Sequence, residues 1–80
     1  MTKHPAETLT FKDLPTPVAG AASYSISSCP TGGYDVVMFD TDAVRSTIEH
    51  KPNQQSALRS AIRWQKRENA AVTKAAKVSA

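Results

Sequence analysis

The chain has 80 residues, a mass of 8.6 kDa, a net charge of +3 and a pI of about 9.3. This length excludes a multidomain enzyme, and the single cysteine, Cys29, excludes an intramolecular disulfide. Hydrophobic residues make up 40% of the sequence, which is too many for a fully disordered chain. A chain of this size buries about 60% of its unfolded surface, so the sequence predicts one domain of marginal stability.

Residues 1–22 hold three of the five prolines, together with Gly20 and a run of small residues. Proline removes a backbone donor and restricts the residue before it, so this segment predicts an extended, mobile N-terminal arm. The alternating run Leu9-Thr10-Phe11 is its best candidate for order, either pairing at a sheet edge or covering a hydrophobic face. We expect the folded domain to occupy residues 23–78.

Residues 23–50 are typical of three successive strands. Tyr24, Ile26 and Ser28 alternate with serines, and a Pro-Thr-Gly-Gly turn leads into residues 34–40, which are rich in β-branched and aromatic side chains. A turn at residues 40–42 precedes a third strand over residues 44–50. Strict alternation there predicts one face with Val44, Ser46 and Ile48 and another with Arg45, Thr47 and Glu49. Short turns predict an antiparallel meander.

A helix is predicted to follow Pro52. Residues 54–67 contain good helix formers and neither Gly nor Pro, and Asn53 is the predicted N-cap because its side-chain oxygen can accept from a free backbone N–H. Beyond Asn69 the helix either continues to about residue 77 or frays. At 100° per residue, one side carries an apolar set with Trp64 at its margin: Ala57, Leu58, Ala61, Ile62 and Gln65.

A three-stranded antiparallel sheet packed by one C-terminal helix is an α+β fold. We expect Leu58, Ala61 and Ile62 to pack on one face of the sheet, formed by Tyr24, Ile26, Val36, Met38 and Ile48. Val37 and Phe39 then lie on the opposite face, which is normally polar when it is open to water. These two residues need a cover, which could be the arm, a second copy in a homodimer, or a partner protein.

Charge is divided unevenly along the chain. Residues 1–40 carry two basic and four acidic residues, whereas residues 41–80 carry eight basic and three acidic ones. On the predicted helix, four cations fall within an arc of about 100° opposite the apolar set, and two more join them if the helix continues: Arg59, Arg63, Lys66 and Arg67, then Lys74 and Lys77.

Two interpretations of this basic arc stay open. It could be the solvated side of a helix whose other side is core, or it could contact phosphates or an acidic protein surface. Trp64 is the one aromatic residue near the arc. Its place at the apolar margin is more typical of a core residue or an interface anchor than of a surface on which bases stack.

The sequence contains no recognisable catalytic, phosphate-binding or metal-binding motif. Cys29, His4 and His50 lack the spacing of a zinc site, and Asp40-Thr41-Asp42 supplies fewer oxygens than a hard cation needs, so it predicts a turn. Gly32-Gly33 precedes no helix and is not a phosphate loop. A Cys29–His50 nucleophile pair lacks a third orienting group and a protected cleft. We therefore expect no enzymatic activity, no cofactor and no bound metal.

The layout resembles small phage-encoded inhibitors of the anti-CRISPR kind. The resemblance lies in an alternating hairpin with a Gly-Gly turn over residues 23–40, and in the Ala-rich helix holding Trp64 over residues 54–67. It covers about half of the chain and contains no diagnostic motif. It implies inhibition by occupying a surface of a CRISPR effector complex, often by blocking DNA entry. Many such inhibitors are acidic, whereas this chain is basic, which argues against mimicry of DNA.

The functional hypothesis is a non-enzymatic inhibitor or interaction protein that binds a larger protein or nucleoprotein complex. Its contact residues would be four cations that steer and pair with acids, and two aromatic anchors: Arg59, Arg63, Lys66, Arg67, Trp64 and Phe39. The alternative is a small basic nucleic-acid-binding regulator that uses the same cations. The single cysteine, and the lack of an apolar signal or membrane-spanning run, predict a cytoplasmic location and no membrane partner. The resemblance to phage-encoded inhibitors implies that this is the cytoplasm of a bacterial host.

Overall fold

The computed structural model describes residues 9–79 and confirms the predicted α+β class. Strands β1 (Ser23–Ser28), β2 (Tyr34–Phe39) and β3 (Arg45–Lys51) form an antiparallel sheet in the order β1-β2-β3. One helix, α1 (Gln54–Ser79), follows and packs on one face of this sheet. A short 3-10 helix over Phe11–Asp13 precedes the strands. Of the two alternatives that the sequence left open beyond Asn69, continuation of the helix is the one observed.

Two tight turns connect the strands, as the sequence predicted. In the first, the Cys29 carbonyl accepts from Gly32 N at 2.9 Å and Cys29 N donates to the Gly33 carbonyl at 3.0 Å. In the second, Oδ1 of Asp40 accepts from the backbone N–H groups of Asp42 and Val44 at 2.8 and 2.9 Å. The carboxylate of Asp40 thus holds its own turn, which is the role predicted for it.

The pairing of β2 with β3 contains a β-bulge that strict alternation did not predict. Val36 pairs with Glu49 and Val37 pairs with Thr47, so Ile48 is an extra residue in β3. Ile48 packs against the core, and Glu49 also faces the helix, where its carboxylate accepts a hydrogen bond from the Ser60 hydroxyl. The predicted placement of Glu49 on the face opposite Ile48 is wrong because a bulge shifts the alternation by one residue.

The core lies between α1 and the helix-facing side of the sheet. Oδ1 of Asn53 accepts from Ser56 N at 2.9 Å, so the predicted N-cap is confirmed. Leu58 is fully buried and Ile62 is half-buried. The predicted sheet residues form the core with two helix alanines, and Leu14 and Tyr34 add to it: Tyr24, Ile26, Val36, Met38 and Ile48 with Ala57 and Ala61.

Amide side chains of α1 hold the segment before the sheet. Gln55 accepts from Leu9 N at 2.7 Å and donates to the Leu9 carbonyl at 2.9 Å. Asn69 accepts from Val18 N at 3.2 Å and donates to the Thr16 carbonyl at 2.9 Å. A proline-rich segment cannot pair its backbone regularly with a strand. These amide side chains supply hydrogen-bond partners for its N–H and carbonyl groups.

Residues 9–22 thus run along the helix, where the prolines predicted a mobile arm. The run Leu9-Thr10-Phe11 makes no strand: Thr10 caps the 3-10 helix, and Phe11 is 54% exposed. Residues 1–8 of the predicted arm lie outside the described residues.

Gln65 makes the most deeply buried of these amide contacts. Its Oε1 accepts from Tyr24 N at 2.8 Å, and its Nε2 donates to the Ala22 carbonyl at 2.9 Å and to Oδ1 of Asn69 at 3.1 Å. Gln65 is 0% exposed, so these bonds satisfy both ends of an amide that water does not reach. Its helical spacing placed it correctly among the apolar set.

Candidate functional site

The outer side of α1 carries six basic side chains, all exposed. At 100° per residue they fall within an arc of about 100°. Eighteen steps of about 1.5 Å separate the first from the last, so they extend over roughly 27 Å. We call this set the cationic face: Arg59, Arg63, Lys66, Arg67, Lys74 and Lys77.

The charge of the cationic face is available to a partner. Among residues 9–79, the side-chain ion pairs join His50 to Asp35 and Lys51 to Glu49, and none includes a member of the cationic face. The four cations that the sequence placed together, Arg59 to Arg67, therefore share one exposed side of a helix whose other side is core.

Trp64 lies at the edge between the core and the cationic face. Its ring stacks on Tyr24 with centroids 5.9 Å apart and an angle of 14° between the planes. The guanidinium carbon of Arg67 lies 5.9 Å from the Trp64 ring centroid, within the range of a cation–π contact. Trp64 is half-buried and anchors the helix on the sheet.

Phe39 lies on a different side of the molecule from the cationic face. Because Val36 and Met38 face the helix, alternation turns Val37 and Phe39 to the other side of β2. We call this side of the sheet the outer face. Val37 is 2% exposed between its strand neighbours Ser25 and Thr47, and Phe39 is half-buried. One flat partner surface cannot contact Phe39 and the cationic face together.

Glu49 is an ionised group close to the cationic face. The hydrogen bond from Ser60 lowers the pKa of Glu49, and the charges of Lys51 and Arg63 lower it further. Partial burial opposes these effects. Glu49 therefore stays negative and attracts Arg63, which makes Arg63 less free than Arg59 or Lys66.

The outer face brings Asp35 together with Cys29 and His50, which the sequence suggested only as an incomplete nucleophile pair. Nδ1 of His50 on β3 lies 2.8 Å from Oδ1 of Asp35 on β2. Sγ of Cys29, at the end of β1, joins them so that one ligand atom from each residue lies within 4.8 Å of the others. We call Cys29, Asp35 and His50 the Cys–Asp–His cluster.

Asp35 is the member that sequence reasoning missed. The Cys29–His50 pair, which the sequence analysis set aside, lacked an orienting group, and Asp35 lies where it can orient His50. The turn at residues 40–42 alone did not signal this contact, because strict alternation puts His50 on the helix-facing side and Asp35 on the other. The bulge at Ile48 brings both residues to the outer face. His4 lies outside the described residues.

The Cys–Asp–His cluster is better suited to binding a metal ion than to acting as a cysteine nucleophile. A carboxylate-oriented histidine beside a thiol is the arrangement of a cysteine nucleophile, but such sites also shield the substrate from water. Here the His50 side chain is 53% exposed beside a hairpin turn. A cysteine sulfur, an imidazole nitrogen and a carboxylate oxygen can together coordinate one transition-metal ion.

A shallow depression lies along the exposed part of α1. Five helix residues line it, and the two lysines among them belong to the cationic face: Asn69, Ala70, Thr73, Lys74 and Lys77. Small side chains between lysines leave room for an anionic group. Within residues 9–79, no helix combines the length and the apolar character needed to cross a membrane.

Comparison with protein families, with curated proteins and with solved structures found no match. The cationic face and the Cys–Asp–His cluster are therefore the two features from which a function can be inferred.

Proposed function

We propose that this chain is a non-enzymatic interaction protein that binds an acidic surface of a larger protein or nucleoprotein complex and blocks nucleic-acid binding by that complex. The observation that supports the proposal is the cationic face, in which six exposed basic side chains have no acidic partner within 4.0 Å among residues 9–79. The resemblance to anti-CRISPR inhibitors makes a CRISPR effector complex in the cytoplasm of a bacterial host the first target to test.

A packed helix is a suitable support for such a contact. The first half of α1 is fixed to the sheet through Leu58, Ala61 and Gln65, so little conformational entropy is lost when its outer side binds. The exposed charges increase the association rate by steering, and their ion pairs select a partner of opposite charge.

The four central cations differ in how cleanly they test the proposal. Arg67 contacts the Trp64 ring and Arg63 lies in the field of Glu49, so reversing either charge also changes an interaction within the protein. Arg59 and Lys66 are exposed and have neither contact. They are therefore the better pair for charge reversal.

The test compares two double variants of equal net charge. Arg59→Glu with Lys66→Glu reverses two charges on the cationic face, whereas Lys12→Glu with Arg45→Glu reverses two exposed charges elsewhere. We expect the first variant to inhibit target-DNA binding by purified effector complexes at least tenfold less well than the unchanged protein. The second variant should inhibit normally, and thermal unfolding checks that both are folded.

Two outcomes would contradict the proposal. If no effector complex of a panel that covers the known types loses DNA binding when this protein is added, the inhibitor assignment fails. If inhibition occurs and both double variants inhibit equally, the cationic face is not the contact surface. Arg63→Glu with Arg67→Glu should also weaken binding tenfold or more, with some loss of stability.

Direct binding to nucleic acid is the second candidate, and the depression lined by Lys74 and Lys77 favours it. Phosphate contacts release counterions, so four of them would give a slope of about −3.6 in log affinity against log salt. Gel-shift titration of random duplex DNA at two salt concentrations measures this slope. Retardation at low salt that vanishes at high salt supports this candidate, and no retardation at either salt concentration rejects it.

A further inference from the structure

The Cys–Asp–His cluster is formed by all three strands at one end of the sheet. Cys29 follows β1, Asp35 lies near the start of β2, and His50 lies near the end of β3. The register pairs Asp35 with His50, while the Cys29 backbone bonds to Gly33, two residues before Asp35. Successive strand pairs thus place the three side chains on the outer face.

The lack of a side chain at Gly33 leaves room for the His50 ring beside the first turn. A Cβ at Gly33 would lie 2.8 Å from Nε2 of His50 and 2.5 Å from the Lys51 carbonyl oxygen. The imidazole therefore lies in space that any side chain at residue 33 would fill. Gly33 also has a φ of +78°, which glycine adopts without strain. The turn fixes Cys29 beside the ring through two backbone hydrogen bonds.

The separations within the cluster are close to those of a metal site. Tetrahedral zinc with bonds of about 2.0–2.3 Å sets its ligand atoms roughly 3.3–3.7 Å apart. The cluster atoms lie within 4.8 Å of one another, and the His50–Asp35 distance is 2.8 Å. Small side-chain rotations suffice to reach coordination distances, since His50 is half exposed and Asp35 is 24% exposed.

We propose that Cys29, Asp35 and His50 bind a zinc ion, with water in the fourth position on the solvent side. Zinc accepts thiolate, imidazole and carboxylate together, whereas magnesium and calcium prefer oxygen ligands alone. Binding replaces the thiol proton of Cys29 with the metal and releases that proton to the buffer. The ion joins the ends of all three strands, so it stabilises the fold.

The experiment measures zinc binding to the full-length protein, kept reduced without a thiol that competes for metal. Competition with a chromophoric chelator gives affinity and stoichiometry, and cobalt replacement gives a thiolate-to-metal charge-transfer band. We expect one zinc per chain, the cobalt band, and a thermal midpoint that rises with zinc. Cys29→Ser should abolish the band, and Asp35→Asn and His50→Gln should each weaken zinc at least tenfold.

Matched variants keep the result interpretable. His4→Gln removes the other histidine, and Asp42→Asn removes a carboxylate from the β2–β3 turn at the opposite end of the sheet, so both should bind zinc as tightly as the unchanged chain. The proposal is overturned if these controls lose as much affinity as the cluster variants. It is also overturned if the chain binds no zinc, or if sedimentation shows that zinc binds only by linking two chains. The cationic-face variants should bind zinc normally, which separates this test from the functional one.

Discussion

The two faces of the sheet are built from alternate residues of the same strands, and they differ in what their side chains do. The helix-facing side buries Tyr24 and Val36 against alanines and leaves each buried polar group bonded. The outer face carries Phe39, Asp35 and His50, which are half-buried or exposed. Most buried side chains thus lie on one side of the sheet, with Val37 the exception on the other, and reactive side chains lie on that other side.

This difference explains how so small a chain can carry reactive side chains on its surface without losing its fold. A domain of this size has little stability to lose, and substitutions in its core cost several kcal/mol. Side chains on the outer face contribute fewer buried contacts, so their identity is less constrained by folding. Three substitutions test this division, in order of their expected effect.

Gln65→Ala should cause the largest loss of stability. It removes a fully buried side chain and leaves the Tyr24 N–H and the Ala22 carbonyl without partners, which should cost about 3 kcal/mol or more. Urea unfolding measures the difference. Gln55→Ala, which removes a half-buried amide with the same pair of bonds to Leu9, should cost about 1 kcal/mol.

Gln65→Met separates packing from hydrogen bonding at the same position. Methionine keeps most of the volume and loses the amide, so it should still destabilise strongly if the hydrogen bonds dominate. Equal losses from Gln65→Ala and Gln55→Ala would show that burial does not distinguish these two amides.

Gly33→Ala should have the next largest effect, although Gly33 lies beside the outer face. Its new Cβ meets the Lys51 carbonyl oxygen at 2.5 Å, whereas a Cβ at Gly32 meets no atom within 4 Å. Both glycines have positive φ, so the clash accounts for the excess, about 2 kcal/mol. Thermal unfolding of both variants measures it. A Gly32→Ala variant as unstable as Gly33→Ala would mean that backbone strain alone, without the clash, accounts for the loss of stability.

Glu49→Gln should have the smallest effect and a characteristic pH dependence. The pKa of Glu49 is lowered in the folded state, so its charge stabilises the fold above about pH 4.5, and this contribution is lost as the pH falls through the lowered pKa. The exposed part of the side chain limits the loss at neutral pH to about 1 kcal/mol or less.

Urea unfolding at several pH values tests this expectation. The difference in stability between Glu49→Gln and the unchanged chain should be widest near neutrality and should close in acid. A difference that stays constant with pH would exclude the charge of Glu49 as its cause. Ser60→Ala should reduce the same pH dependence, because the Ser60 hydrogen bond is the largest cause of the pKa shift.

Local sequence patterns were sufficient for most of the fold. Alternation and the turn residues predicted the strands, and the Asn53 cap with helical spacing predicted α1 and most of its buried side. These features depend on residues close together in the chain, where propensity and periodicity act. The exposed side of the helix followed from the same periodicity.

The features that were missed depend on contacts between distant segments. The bulge at Ile48 depends on how β3 meets both β2 and the helix, and alternation within β3 carries no sign of it. The contacts of Gln55 and Asn69 join residues more than 40 positions apart. The Cys–Asp–His cluster needed an exact register across three strands, which is set only when the sheet forms.

The buried amide of Gln65 also limits where another strand can add to the free edge of this sheet. It bonds to Tyr24 N and to the Ala22 carbonyl in the pattern that one residue of an adjacent parallel strand would make. The start of β1 is therefore already paired along its free edge, and only its last residues remain for an incoming chain. A single glutamine thus occupies the part of this edge where an incoming strand would otherwise begin to pair, a position that lysines and prolines guard in other sheets.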